Sequence, residues 1–257
     1  MESVLLQIFN GVSLSSILLL TALGLMITFG LMKIINMAHG EFLMIGAYTT
    51  YCVQNFFLNF LPKAAFDAYY IVALPMSFIV SAAIGLGLER LLIRRLYGRP
   101  MDSLLVTFGV SLILQQLARN LFGTANVNVT SPSWLDGTLV ITDTLQLPVK
   151  RLFILGMAAA VCVGMYFLLY RSNAGRKVRA VMQNRPMAAC LGIPTKTIDA
   201  ATFAIGSGIA GLAGCALTLL GSIGPTLGAN YIVDSFMTVV VGGVGTLLGT
   251  ACGAGFM

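Results

Sequence analysis

Residues Asn36–Tyr48 read Asn-Met-Ala-His-Gly-Glu-Phe-Leu-Met-Ile-Gly-Ala-Tyr, and their polar part, Asn36–Glu41, separates two apolar runs, Val12–Met32 and Phe42–Leu61. That part holds the only histidine of the chain, His39, and one of its nine acidic residues, Glu41, on either side of Gly40. Hydrocarbon offers no water to polar groups, so a polar knot between membrane-length segments has to be sheltered inside protein or line a wet path. The stretch predicts a broken helix near residues 36–41 in a chain that crosses a membrane.

Composition points the same way. The 257 residues are 58% hydrophobic and 9% charged, against roughly 25% charged in an average globular protein, and mean hydropathy is +0.91. Glu2 stands before the first apolar run with no basic residue beside it, so the positive start of a cleaved leader is missing and the first segment is expected to stay. Cys52, Cys162, Cys190, Cys215 and Cys252 are odd in number and scattered, which suits small core residues better than a disulfide or metal set. The net charge of +6 is concentrated: ten of 15 basic residues fall in two loops, Arg90–Arg99 and Arg171–Lys196. That asymmetry marks both loops as cytoplasmic, rather than marking a nucleic-acid partner.

Taken in order, the apolar segments are Val12–Ile35, Phe42–Leu61, Ala68–Leu88, Ser103–Phe122, Leu152–Tyr170, Ala200–Leu220 and Tyr231–Phe256. Each is near the length that a helix needs to cross. The second can also be read as re-entrant; if it crosses, the N-terminus lies outside. Gly123–Lys150, with the only tryptophan, Trp134, is expected as an external loop. Pro225 and the glycines of Gly221–Asn230 split the 34 uncharged residues Ala200–Val233. The expected fold is an all-α polytopic transmembrane helix bundle, one domain over 1–257, with about seven membrane segments. Because the chain stops at Met257 inside an apolar run, an eighth segment is expected beyond it.

Several motifs dissolve in context. Gly206-Ser-Gly208-Ile-Ala-Gly211 has dinucleotide-loop spacing but sits inside a membrane-length run with no strand before it, so close helix packing is expected there and along Gly245, Gly249 and Gly253. No phosphate-binding loop of the Gly-x-x-x-x-Gly-Lys type occurs, and a lone histidine completes neither a metal site nor a nucleophile–base pair. An enzyme is not expected, and no cofactor is. Gly175–Gly192 is amphipathic, with Val178, Val181, Met182, Ala188, Ala189 and Leu191 among arginines and prolines at 186 and 194. A short helix of that design suits a groove in a cytoplasmic partner.

These residues resemble a known family. Leu23-Gly-Leu-Met-Ile-Thr-Phe-Gly30, Ile35-Asn-Met-Ala-His-Gly-Glu41 and Met44-Ile-Gly-Ala-Tyr48 are similar to the branched-chain amino acid permease family of bacterial ABC importers. So are Gly175-Arg-Lys-Val-Arg-Ala180, Ala188-Ala-Cys-Leu-Gly-Ile193, Tyr231-Ile-Val-Asp-Ser-Phe236 and Val239-Val-Val-Gly-Gly-Val-Gly245. Ala47–Gln54 and Gln183–Pro194 look more like the branch that carries urea and short-chain amides. The resemblance implies a bacterial inner-membrane subunit paired with a second, similar permease, two cytoplasmic ATP-binding subunits and a periplasmic substrate-binding protein. It implies that 171–196 is the loop coupling to the ATPase, through Arg176, Arg179, Asn184, Arg185, Ala188, Ala189 and Gly192. The Glu-Ala-Ala-x-x-x-Gly signature of many such loops is only approximated here, since two residues separate Ala189 from Gly192 and no glutamate precedes Ala188.

The expected function is ATP-driven import of urea or short-chain amides, with branched-chain amino acids as the alternative solute and a stand-alone urea channel or secondary transporter as the competing class. Asn36, His39, Glu41, Thr107, Gln115, Asn230, Asp234 and Ser235 are the expected polar residues of the path.

Overall fold

In a computed structural model of the chain, residues 2–32, 35–60, 62–97, 99–142 and 145–257 are described. Ten α-helices occur among them: α1 Glu2–Met32, α2 His39–Phe60, α3 Tyr69–Leu91, α4 Pro100–Phe122, α5 Val149–Tyr166, α6 Asn173–Gln183, α7 Arg185–Cys190, α8 Thr195–Leu217, α9 Leu227–Gly242 and α10 Leu247–Phe256. The membrane bundle they build is all-α.

Among the described residues five stretches are long and apolar enough to cross a membrane, and they fall on α1, α3, α4, α5 and α8. At 22 residues α2 has the length, but it is not among those five. The last predicted segment, Tyr231–Phe256, is not one rod. It is α9 and α10, bent by 120° at a short break. Gly243 and Gly245 take φ of +91° and +80° there, backbone that L side chains rarely adopt and that ends a helix. Gly245 therefore belongs to a turn rather than to a helix-packing series.

The centre of the molecule is α8, which lies against α1, α2 and α3. Its small residues allow this. A Cβ at Gly206 would sit 2.7 Å from Gly24 O, and one at Gly214 would overlap Leu43 O. In the same way Gly46 of α2 meets the backbone of Gly211. Without a hydrophobic drive between helices in lipid, such backbone approach is what close van der Waals packing needs. The series that imitates a dinucleotide loop is thus a packing face. Hydroxyls complete the contact: Ser77 donates to Gly46 O at 3.1 Å, and Tyr70 donates to Cys215 O at 3.0 Å.

The expected loop 123–150 is partly ordered into a hairpin, β1 Thr138–Thr142 paired antiparallel with β2 Leu145–Pro148. It is tied back to the bundle at several points. Asp67 accepts from Ser133 N at 2.9 Å, Tyr69 donates to Thr130 O at 2.5 Å, and Val127 bridges Ile223 between α8 and α9.

Candidate functional site

The break between α1 and α2 is a capped turn. Asn36 Oδ1 accepts from Ala38 N at 3.1 Å, and Thr107 Oγ1, from the facing α4, accepts from Met37 N at 3.2 Å. The N–H groups of His39 and Glu41 bond back to Asn36 O and Ala38 O. A helix start leaves N–H groups without intrahelical acceptors, but these four are taken, by the Asn36 side chain, by Thr107 of the neighbouring helix and by two carbonyls of the turn.

What stays open is on side chains. Glu41 Oε1 accepts from Ser111 Oγ and from Gln115 Nε2, both at 2.8 Å. Its other oxygen, Oε2, has no hydrogen-bond partner among the described residues, nor do Asn36 Nδ2 and the two ring nitrogens of His39. Glu41 is 1% exposed and His39 0%. Among the described residues no Lys or Arg is paired with Glu41; the neutral donors of α4 alone hold it. A buried carboxylate with one oxygen saturated and one bare can take a further donor, and a cationic donor most strongly. The His39 ring lies edge-on to Phe42, centroids 6.2 Å apart.

Asn36, Glu41, Thr107 and Gln115 are therefore brought together, with His39 beside them. Ser111 joins them and was missed. It was legible as the middle of Thr107, Ser111 and Gln115, a polar residue at every fourth position of an apolar helix, which puts all three on one face. Helix α9 packs against the break, Gly228 meeting the backbone of Gly40 and Glu41, but its three expected path residues make no hydrogen bond to that cluster among the described residues. Ser235 donates to Thr21 Oγ1 of α1 at 2.7 Å, while Asn230 and Asp234 are exposed. Asp234 lines a groove of about 740 Å³ with Tyr231 and with Leu14, Ser15 and Leu18 of α1.

The arginine-rich segment folds as two short helices. Ser172 caps α6 by accepting from Gly175 N, and Asn184 caps α7 by accepting from Met187 N at 3.1 Å. Gly175 is indispensable at its place, because a Cβ there would overlap Leu168 O and Leu169 O. Gly192, at φ +77°, ends α7 with Ile193 N bonded to Ala188 O. The expected apolar stripe divides in two: Val178, Val181 and Ala188 are buried against the chain itself, whereas Leu191 is 75% exposed, as is Met187, outside that stripe, at 59%. Arg176 reaches Asn173, Arg179 reaches Leu169 O and lies 5.3 Å from the Tyr170 ring, and Ala189 is exposed. Arg185 turns inward, onto Asp199.

A bundle of apolar helices with a polar break at its core and an arginine-rich helical elbow on one face is a transport permease. Residues 7–257 match the family described as branched-chain amino acid transport system / permease component, and the chain belongs to that family. It is similar to the high-affinity branched-chain amino acid transport system permease protein BraD of Pseudomonas aeruginosa, at 29% identity over 253 residues, covering 96% of this chain and 81% of BraD. Its likeness to LivH of Escherichia coli, of the same description, is 30% over 261 residues with the same coverage. A probable LivH of Methanocaldococcus jannaschii is 26% identical over 249 residues, covering 93% of this chain and 74% of that one. No solved structure matches. The chain is accordingly a multi-pass inner-membrane permease of the ABC transporter class, not a catalytic enzyme.

Proposed function

We propose that this chain is the transmembrane permease subunit of an ATP-driven importer and that its solutes are branched-chain amino acids. The observation that supports this solute class is the bare Oε2 of Glu41, buried and held by neutral donors alone. An amino acid brings an ammonium for that oxygen and a carboxylate for the unpartnered Asn36 amide N–H, and its aliphatic side chain suits the apolar remainder. Urea, uncharged and planar, would gain from a carboxylate only charge-assisted hydrogen bonds, without the ion pair that an ammonium adds. The relatives' own descriptions point to the same solutes, and the urea and short-chain amide reading rests on Ala47–Gln54 and Gln183–Pro194 alone.

In this reading the chain pairs with a second permease of its kind, two cytoplasmic ATP-binding subunits drive it, and a periplasmic binding protein delivers the solute. The exposed Met187 of α7 and Leu191 just after it offer an apolar contact to an ATP-binding subunit. The 171–196 elbow then passes closure of those subunits to the helices. Uptake of labelled leucine and labelled urea into vesicles, with and without ATP and the other subunits, is the test. ATP-dependent leucine uptake is expected; urea uptake without leucine uptake would overturn the solute, and passive flux through this chain alone would overturn the class.

A further inference from the structure

Below the core, on the face that carries the arginine-rich segments, four charged side chains and one tyrosine from separate elements meet. Glu89, near the end of α3, and Asp199, in the first turns of α8, are both 0% exposed. Arg94 lies on the turn after α3, with Nε 3.8 Å from Glu89 Oε1 and Nη2 donating to Lys196 O at 3.3 Å. Tyr97 donates to Glu89 Oε1 at 3.4 Å. Arg185, the first residue of α7, donates to Asp199 Oδ2 and lies over the Tyr97 ring, its guanidinium carbon 4.2 Å from the centroid. Glu89 Oε2 and Asp199 Oδ1 have no partner among the described residues.

A carboxylate at zero exposure is costly unless neutral donors, as at Glu41, or a counter-ion hold it. Here the counter-ion of Asp199 is carried by a helix of six residues whose remaining side chains, Ala188 apart, are exposed or half-exposed. Arg185 is thus the polar grip of α7 on the bundle. A guanidinium suits the task, since it is planar, permanently charged, and able to stack on a ring while bonding a carboxylate. Burial and the adjacent Asp199 and Glu89 carboxylates hold the Tyr97 phenol above its ordinary pKa, so it stays a donor to Glu89. Any displacement of α7 has two outcomes for Asp199: it moves with Arg185, and α8 with it, or it is stripped of its charge partner.

We propose that Arg185 is a positioning residue that transmits movement of α7 to α8 through Asp199 and to α3 through Tyr97 and Glu89, coupling ATP hydrolysis to transport without touching the ATPase. This rests on the reading above that α7 faces an ATP-binding subunit. It assigns Arg185 a role opposite to an outward docking contact, and it leaves Met187 and Leu191 as the docking surface.

The test uses the whole complex in proteoliposomes, measuring subunit stoichiometry, ATP hydrolysis, and uptake of whichever of labelled leucine or urea the unaltered complex transports. Arg185→Ala and Asp199→Asn are expected to retain all subunits and hydrolyse ATP, while uptake per ATP falls about tenfold or more, as for the loss of one strong coupling contact. Tyr97→Phe, which keeps the ring under Arg185 but removes the donor to Glu89, is expected to lose part of the coupling, and Tyr97→Leu to lose more. Unaltered uptake per ATP in assembled Arg185→Ala and Asp199→Asn complexes would overturn the proposal. Should those two not assemble, Tyr97→Leu decides, because it leaves the Arg185–Asp199 pair intact; normal coupling in it, or loss of subunits in all three, assigns the cluster to folding alone. Disulfide crosslinking from Met187→Cys to cysteines on the ATP-binding subunit separates the two readings. Absence of any crosslink counts against α7 as the docking helix, whereas a crosslink with unchanged coupling in Arg185→Ala counts against the grip only.

Discussion

Replacing Glu41 by glutamine changes one atom and removes one charge. The amide oxygen can still accept from Ser111 and Gln115, which reach Glu41 Oε1 at 2.8 Å each. Each bond drops from the charged to the neutral class, about 1 kcal/mol apiece and about 2 kcal/mol together. Against that, the cost of keeping a carboxylate out of water, several kcal/mol in order of magnitude, is removed. Assembly and thermal stability of Glu41→Gln are therefore expected to be normal or slightly improved. Transport is different. If Oε2 receives the ammonium of the passing solute, that charged contact of about 1.5–3 kcal/mol is lost, a factor of about 10–100 in uptake. The assay is ATP-dependent uptake of labelled leucine by the reconstituted complex, normalised to assembled permease measured by size-exclusion chromatography. Uptake within twofold of the unaltered complex, in a fully assembled Glu41→Gln sample, would refute the reasoning and reduce Glu41 to a brace for the break.

Other expectations follow from the same geometry. Gly46→Ala drives a methyl into the backbone of Gly211 and should destabilise by about 1–3 kcal/mol, the range for overpacking; Gly156→Ala on α5, which meets nothing within 4 Å, should be neutral or stabilising by up to about 1 kcal/mol. Equal melting temperatures for the two would contradict α8 as the close-packed centre. Gly243→Ala, at φ +91°, should cost about 1–3 kcal/mol of stability by straining the turn between α9 and α10, read as a lowered midpoint in detergent-solubilised complex. Met187→Asp with Leu191→Asp should leave the permease folded and strip it of the ATP-binding subunits in co-purification, since charge replaces the exposed apolar contact.

The crossing segments were legible because burial in lipid demands long uncharged runs, and the positions of α1, α3, α4, α5 and α8 follow that demand. The break at Asn36–Glu41 was legible for the complementary reason, that polar side chains there would not be tolerated in a continuous lipid-facing rod. Gly206, Gly211 and Gly214 could be assigned to packing from their setting alone. The 120° bend between α9 and α10 was not legible as such: Gly242, Gly243 and Gly245 stand among valines, and glycine in an apolar run serves a packing face or a turn equally well. Nor was the hairpin of 138–142 with 145–148, which lies inside a stretch read as an external loop.

What the residues determined by themselves was local and compositional: a membrane protein, a polar interruption in it, a basic elbow on one face. Which polar groups face each other was decided only by the tertiary structure. Thr107, Ser111 and Gln115 lie some seventy residues from the break they serve, and Arg185 lies 14 residues from Asp199 and on a different helix. Periodicity says which face of a helix a residue occupies, not which helix that face will meet. The tertiary fold turned Arg185 inward where its sequence neighbours Met187 and Leu191 turn outward, because a buried carboxylate on α8 required a cation and an apolar pair without a partner did not.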